Sequence, residues 1–120
     1  MKIVITSQGA DLASAVDPRF GRAKNFILVD TETKEFSVHD NAQNLNAAQG
    51  AGIQAGRTVV DLGAEAVVTG NVGPKAFAAL EAGGVKVYPG ASGTVEEALE
   101  QFSSGELKPA GNANVEGHWM

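Results

Sequence analysis

The chain contains no cysteine. This excludes disulfides, thiolate metal sites and cysteine nucleophiles. A bound metal must therefore bring its own ligands or use histidine, carboxylate or backbone groups. Aromatic residues make up only 6% of the 120 residues, whereas glycine alone contributes 15. A core of this composition packs backbone close to backbone instead of around large rings. Positive charge is also scarce: Lys and Arg total 9 against 14 Asp and Glu, a net charge of -5. Such a chain lacks the basic face that general nucleic-acid binding needs, although a local basic pocket remains open to it. No run approaches the roughly 18 apolar residues of a membrane span. The opening MKIVITSQGAD has one Lys and a short apolar run. It reads as a first strand and not as a signal peptide, and the cytoplasm is the expected location.

What is present suffices for one domain. Hydrophobic residues reach 43%, a normal share for a globular core. The domain is expected over residues 1–107. The stretch 108–120 contains Pro, Gly and Asn without a period and reads as a flexible tail.

Met1 to Thr6 is expected to form a strand buried on both faces, because Ile3, Val4 and Ile5 run together without alternation. Phe26 to Asp30 is a second strand. A turn over Thr31 to Lys34 leads to a third, Glu35 to His39, in which Phe36 and Val38 alternate with Ser37 and His39, leaving one wet face. From Asn46 the period becomes helical, with Ala48, Ala51, Ala55, Val59 and Leu62 on one face. Gly50, Gly52 and Gly56 interrupt it, each costing up to ~1 kcal/mol relative to Ala, which reads as close packing against a sheet. Ala66 to Thr69 is a fourth strand. Gly73-Pro74 opens a second helix, carrying Phe77 and Leu80 on its apolar side, and Gly83-Gly84 ends it. Val85 to Tyr88 is the fifth strand. Thr94 and Glu97 form a capping box for a third helix, with Val95, Ala98, Leu99 and Phe102 on its buried face and Gly105 at its close.

The order is βββαβαβα. Right-handed crossovers make strands one, four and five parallel, and tight turns place strands two and three on the other side. The expected fold is α/β, a mixed five-stranded sheet in the order 3-2-1-4-5 with helices on its faces, the ribonuclease H-like arrangement. Ligands of such sheets collect beyond the carboxyl ends of the parallel strands where strand order reverses, here between strands one and four.

Two loops leave that point. One runs from Ser7 and Gln8 to Asn25 and carries DPRFGRAKNF, with Arg19, Arg22 and Lys24 around Phe20-Gly21. The other is Gly70-Asn71-Val72-Gly73-Pro74-Lys75, which opens a helix; a helix N-terminus favours anions. A third loop, ahead of Thr94, places Glu96 and Glu97 at its helix start and repels them. Each feature also has a plain structural explanation. Lys75 could be a solvated helix residue, Arg19 and Arg22 could pair with Asp11 or Asp17, and Phe20 could plug the core. The Gly-Lys-Ser/Thr ending of a phosphate loop is missing. Strand one carries no carboxylate for a two-metal nuclease. His39 and His118 have no evident acid–base partner, although Gly117 to Met120, with His118 and Trp119, could fold over a ligand. No residue is a candidate catalyst or direct metal ligand, and the protein is not expected to be an enzyme.

DPRFGRAKNF, NAAQGAGIQAG, VVTGNVGPKAFAAL and VKVYPGASGTVEEAL, in that order, resemble the dinitrogenase iron–molybdenum cofactor biosynthesis family, the domain of NifX-type proteins and of the C-terminal part of NifB-type proteins. The resemblance spans about Lys2 to Leu107. It implies the ribonuclease H-like fold and a non-covalently held, anionic metal–sulfur cluster containing molybdenum, either a molybdenum–copper sulfide or a precursor of the iron–molybdenum cofactor. The implied cluster-binding residues are Ser7, Gln8, Arg19, Phe20, Gly21, Arg22, Gly70, Asn71, Val72, Gly73, Pro74 and Lys75. Some members carry His in place of Arg19, and arginine does not normally ligate metals. Implied partners are other cluster-assembly or cell-division-related proteins, and a monomer is the simplest state. A nucleotide or phosphometabolite in the same pocket, or a regulatory scaffold without a cluster, are the alternatives.

Overall fold

The computed structural model describes residues 1–41 and 51–111. The expected helix start at Asn46, with Ala48 and Gly50, lies outside the described residues, as do His118 and Trp119. The strands are β1 (Lys2–Ser7), β2 (Asn25–Asp30), β3 (Phe36–Asp40), β4 (Ala66–Val68) and β5 (Lys86–Tyr88), and the described helices are α1 (Ala51–Asp61), α2 (Pro74–Ala82) and α3 (Val95–Ser103). The sheet order is β3-β2-β1-β4-β5. β1 is antiparallel to β2, with Ile3 opposite Val29 and Ile5 opposite Ile27. It is parallel to β4, with Val4 beside Val67. β2 and β3 form an antiparallel pair, and β4 and β5 a parallel one.

β1 lies at the centre, which explains its unbroken apolar run. Val4 faces one core with Phe20, Phe26, Ala55, Val59, Val67, Ala76 and Leu80. Ile3 and Ile5 face the other, with Ile27, Val29, Ala66, Val68, Val95, Ala98 and Leu99. Helices α1 and α2 thus cover one face and α3 the other. All three β1 residues are fully buried, and each such side chain contributes roughly 1.5–3 kcal/mol.

Local signals set the helix ends. Pro74 begins α2 after Gly73, where its missing N–H costs nothing. Thr94 and Glu97 make the reciprocal capping box of α3. Gly84 takes a left-handed φ of 77° just past α2, which glycine adopts without a Cβ clash.

Three expectations change. The glycines of α1 do not meet the sheet; they meet the neighbouring helix. A Cβ on Gly52 would lie 3.1 Å from the Cβ of Ala76, and one on Gly56 would lie 3.0 Å from that of Ala79. Residues four apart share a helix face, so the two glycines form a flat track along which α2 approaches. On β3 both sides are open: Phe36 and Val38 are 41% and 37% exposed, Ser37 between them is exposed as well, and only His39 is half-buried. β3 is the sheet edge, and α3 packs on β1 and β4 and stops short of it. Finally, the segment after Leu107 is held for its first residues, because the Ala110 N–H donates to the Val87 carbonyl at 2.8 Å. Among the described residues, no helix is long and apolar enough to cross a membrane.

Candidate functional site

The carboxyl ends of β1 and β4 are tied together inside the protein. Thr6 and Thr69 are both fully buried, with their hydroxyls 2.8 Å apart. Thr6 Oγ1 also donates to the Asp17 carbonyl at 2.7 Å, and the Asp17 N–H donates back to the Thr6 carbonyl at 2.9 Å. The loop after β1 is therefore folded back across the strand ends. Its next residues meet the loop after β4. The Asn71 N–H donates to the Pro18 carbonyl at 2.7 Å, and the Phe20 N–H donates to the Asn71 carbonyl at 3.2 Å. Together they make a one-residue parallel bridge of Arg19 with Asn71.

Gly70 is what allows that contact. A Cβ there would sit 2.7 Å from Pro18 Cα and 2.8 Å from its carbonyl oxygen, so backbone runs against backbone. Asn41, fully buried, holds the loop from the other side. Its side-chain amide donates to the carbonyls of Ala23 at 2.9 Å and Gly21 at 3.3 Å, and its N–H donates to the Lys24 carbonyl at 2.8 Å. The Asn25 amide reaches the Gly9 carbonyl at 2.9 Å.

The two loops and the helix start that follows carry four cations, of which Arg19 lies on the bridge itself. Arg19, Lys24 and Lys75 are exposed and Arg22 is half-buried. The acids once available to them are committed to the backbone. Asp17, 4% exposed, accepts the Arg19 N–H on Oδ1 at 3.1 Å. Asp11 accepts from the Ala13 N–H at 3.0 Å and from Ser14 Oγ at 3.1 Å. Among the described residues Arg19 and Lys75 form no ion pair, while Arg22 has a partner.

The two neighbouring helix starts differ as the sequence leads one to expect. At α3 the Thr94 hydroxyl caps the Glu97 N–H at 3.1 Å. The Val95 and Glu96 N–H groups donate to the Ser14 and Leu12 carbonyls, both at 2.9 Å. That end is chemically closed. At α2 the N-cap Gly73 supplies no side chain, and Phe77 is the first amide bonded back, to the Gly73 carbonyl at 2.9 Å. Among the described residues no side chain caps this end, so its partial positive charge stands in the same turn as the exposed Lys75.

The twelve residues implied by the resemblance do not have equivalent roles. Arg19, Asn71, Gly70, Gly73, Pro74 and Lys75 meet or flank the seam. The rings and side chains of Phe20 and Val72 are fully buried. Phe20 stacks on Phe26 at 5.8 Å between centroids, so it serves as the core plug and offers only backbone to a ligand. Gly21 is buried too. The Ser7 hydroxyl is bonded to Gly9, donating at 2.9 Å and accepting at 3.1 Å. Gln8 is exposed, and its N–H is used by the Ala15 carbonyl at 2.9 Å. Thr6, Thr69, Asn25 and Asn41 went unread in the sequence. A polar residue beside a strand end is ordinarily a solvated turn residue, so nothing local marks Asn41 as a buried clamp. Among the described residues, no group of three His, Asp or Glu is placed to hold a metal ion.

An open mixed sheet whose two switch-point loops close on each other beside a helix start without a side-chain cap defines this chain as a small α/β protein of mixed-sheet topology. Residues 1–105 match the family model described as dinitrogenase iron-molybdenum cofactor, and the chain belongs to that family. The apo form of the orange protein from Desulfovibrio gigas is 41% identical, with a TM-score of 0.92, covering 95% of this chain and 96% of that one. A Thermotoga protein provisionally named a NifB protein is 40% identical, with a TM-score of 0.83, covering 97% and 98% of the two chains. An uncharacterized protein of Methanocaldococcus jannaschii is 27% identical over 95 residues, 78% of this chain and 80% of its own length.

Proposed function

We propose that this protein binds a preassembled anionic metal–sulfur cluster non-covalently at the seam between the β1 and β4 loops, and carries it without transforming it. The cluster is of the molybdenum-containing kind, a molybdenum–copper sulfide or a precursor of the iron–molybdenum cofactor. The observation that carries this reading is the Arg19–Asn71 bridge, because it brings the guanidinium loop and the open α2 start to one place. Membership of the iron–molybdenum cofactor family supplies the class of ligand.

The donor set suits such a cargo. A chain without cysteine and without a described carboxylate–histidine trio is poorly equipped for a bare metal ion. A sulfide cluster brings its own ligands and presents negative charge. It needs guanidinium, ammonium and backbone N–H donors, whose charge-assisted hydrogen bonds are roughly twice as strong as neutral ones. Arg19 and Arg22 provide the first kind, Lys75 the second and the first turn of α2 the third.

The test is reconstitution of the apo protein with thiomolybdate and copper, followed by gel filtration. A visible charge-transfer band that travels with the protein, and that fades in Arg19→Glu with Lys75→Glu, supports the site. An undiminished band in that double variant places the site elsewhere. Calorimetric titration with nucleotides separates a phosphate pocket from a sulfide pocket: nucleotide binding without a cluster band overturns the carrier reading.

A further inference from the structure

Thr6 and Thr69 carry buried hydroxyls that the cargo site above leaves without a role. We infer that they are positioning residues for that site: a one-way relay of two hydroxyl protons, from Thr69 to Thr6 and from Thr6 to the Asp17 carbonyl, holds Arg19 against Asn71. What the seam then binds rests on the carrier reading above; the relay itself does not.

Sheet register brings the two hydroxyls together. Ile5 lies beside Val68 in the parallel β1–β4 ladder, and one step further along each strand stand Thr6 and Thr69. Both are fully buried, so bulk water does not complete their hydrogen bonds. Thr6 Oγ1 is 2.7 Å from the Asp17 carbonyl oxygen and 2.8 Å from Thr69 Oγ1. A hydroxyl has one proton to give, and a carbonyl only accepts. The Thr6 proton therefore goes to Asp17. The contact between the two hydroxyls is then made by the Thr69 proton.

The relay closes a ring. After Asp17 comes Pro18, whose carbonyl accepts the Asn71 N–H at 2.7 Å. From Asn71 the chain leads back through Gly70 to Thr69. Asp17 and Pro18 form one side of the ring and residues 69–71 the other. The hydroxyls close it at one end and the Asn71–Pro18 bond at the other. Gly70 keeps it narrow, because a Cβ there would meet Pro18. Arg19 follows immediately on the ring, bridged to Asn71, with its own N–H held by Asp17 Oδ1 at 3.1 Å.

Direction makes the two threonines unequal. Among the described residues, Thr6→Val leaves the Thr69 hydroxyl without an acceptor and the Asp17 carbonyl without the hydroxyl that donates to it. Thr69→Val removes only the proton that Thr6 receives, and the bond to Asp17 survives. Orphaning one partner of a buried bond costs more than replacing both by apolar groups of the same shape. Adding Thr69→Val to Thr6→Val should therefore relieve part of the damage. Two threonines that merely filled space would show neither the inequality nor the relief.

The test is amide hydrogen exchange of the full chain, with band titration beside it. In T6V the Asn71 and Phe20 amides, which make the bridge, are expected to exchange about tenfold faster relative to the Val4 and Val67 amides of the sheet. T69V should change them by less than about threefold. The double variant should lie below T6V, and T6S should restore the natural rate. The charge-transfer band formed with thiomolybdate and copper should need more ligand in T6V and recover in T6S, while I3V, a core change outside the ring, leaves it unaltered. Equal rates in T6V and T69V, or a double variant faster than T6V, overturn the relay. A faster bridge with unchanged band affinity overturns the positioning role. If T6V does not fold, the double variant is read in its place, and bridge amides no faster there than in T69V overturn the relay. If the natural chain forms no band, the carrier reading falls and the exchange rates alone decide the relay.

Discussion

Gly70 and Pro18 approach so closely that a side chain at residue 70 would begin 2.7 Å from Pro18 Cα. The two strand-end loops are therefore in backbone contact, and what a ligand meets above them is decided by that contact. Gly70→Ala forces the loops apart at a place where neither side is a flexible side chain. We expect a loss of about 1–3 kcal/mol, the usual cost of overpacking, in urea unfolding. Cluster retention should weaken together with stability.

Arg19 and Lys75 should show the opposite pattern. Both are exposed and form no ion pair among the described residues. Their replacement by Glu should move stability by no more than about 0.5 kcal/mol. Cluster affinity should fall, and added salt should weaken the remaining binding less than it weakens that of the natural chain, because two attractive charges have become repulsive ones that salt also screens. Parallel unfolding and band titrations of the double variant check both halves.

Asn41 supports the cationic loop without facing it. Asn41→Leu leaves the Gly21 and Ala23 carbonyls inside the protein without the amide they accept from. A loss of roughly 1–3 kcal/mol per buried unsatisfied group is expected. Amide hydrogen exchange should rise first over residues 19–24, ahead of the sheet.

The glycine track of α1 predicts an asymmetry between small and larger side chains. Gly56→Ala gains up to ~1 kcal/mol of helix propensity and opposes it with a Cβ 3.0 Å from that of Ala79, so the net change should be small. Gly56→Val adds methyl groups with nowhere to go and should cost about 1–3 kcal/mol. Thermal melts of the two variants distinguish a helix–helix contact from a solvent-facing glycine.

Asp30 holds the β2–β3 turn through its carboxylate. Its Oδ1 accepts the Glu32 N–H at 2.9 Å and the Thr33 N–H at 3.3 Å. Those two backbone bonds hold its pKa below the ordinary 3.8. A carboxyl with a lowered folded pKa contributes stability that is present above the unfolded value and is lost as pH falls through the folded one. The advantage of the natural chain over Asp30→Asn should therefore be constant near neutrality and shrink below pH 3.8. Unfolding of the two proteins across the acid range measures it.

Most of the fold was legible because its signals are local. The unbroken IVI of β1, the Gly73-Pro74 opening of α2 and the Thr94–Glu97 box of α3 each act within a few residues. Short connections force strands two and three onto one side of β1. The helix-start contrast was legible for the same reason, since Glu96 and Glu97 occupy their own helix end. The exposure of Phe36 and Val38 was not legible, because alternation identifies two faces and does not say which of them another element covers. The partner of Gly52 and Gly56 was equally hidden: a glycine reports that something comes close, without naming it.

By itself the sequence determined which segments become strands and helices, the direction in which they connect and the charge of the loop after β1, all through interactions between near neighbours. Only the tertiary structure decided that Arg19 lies beside Asn71, that Thr6 meets Thr69 and that Asn41 clamps the loop. These contacts join residues far apart in the chain, and burial of the common core holds them in place.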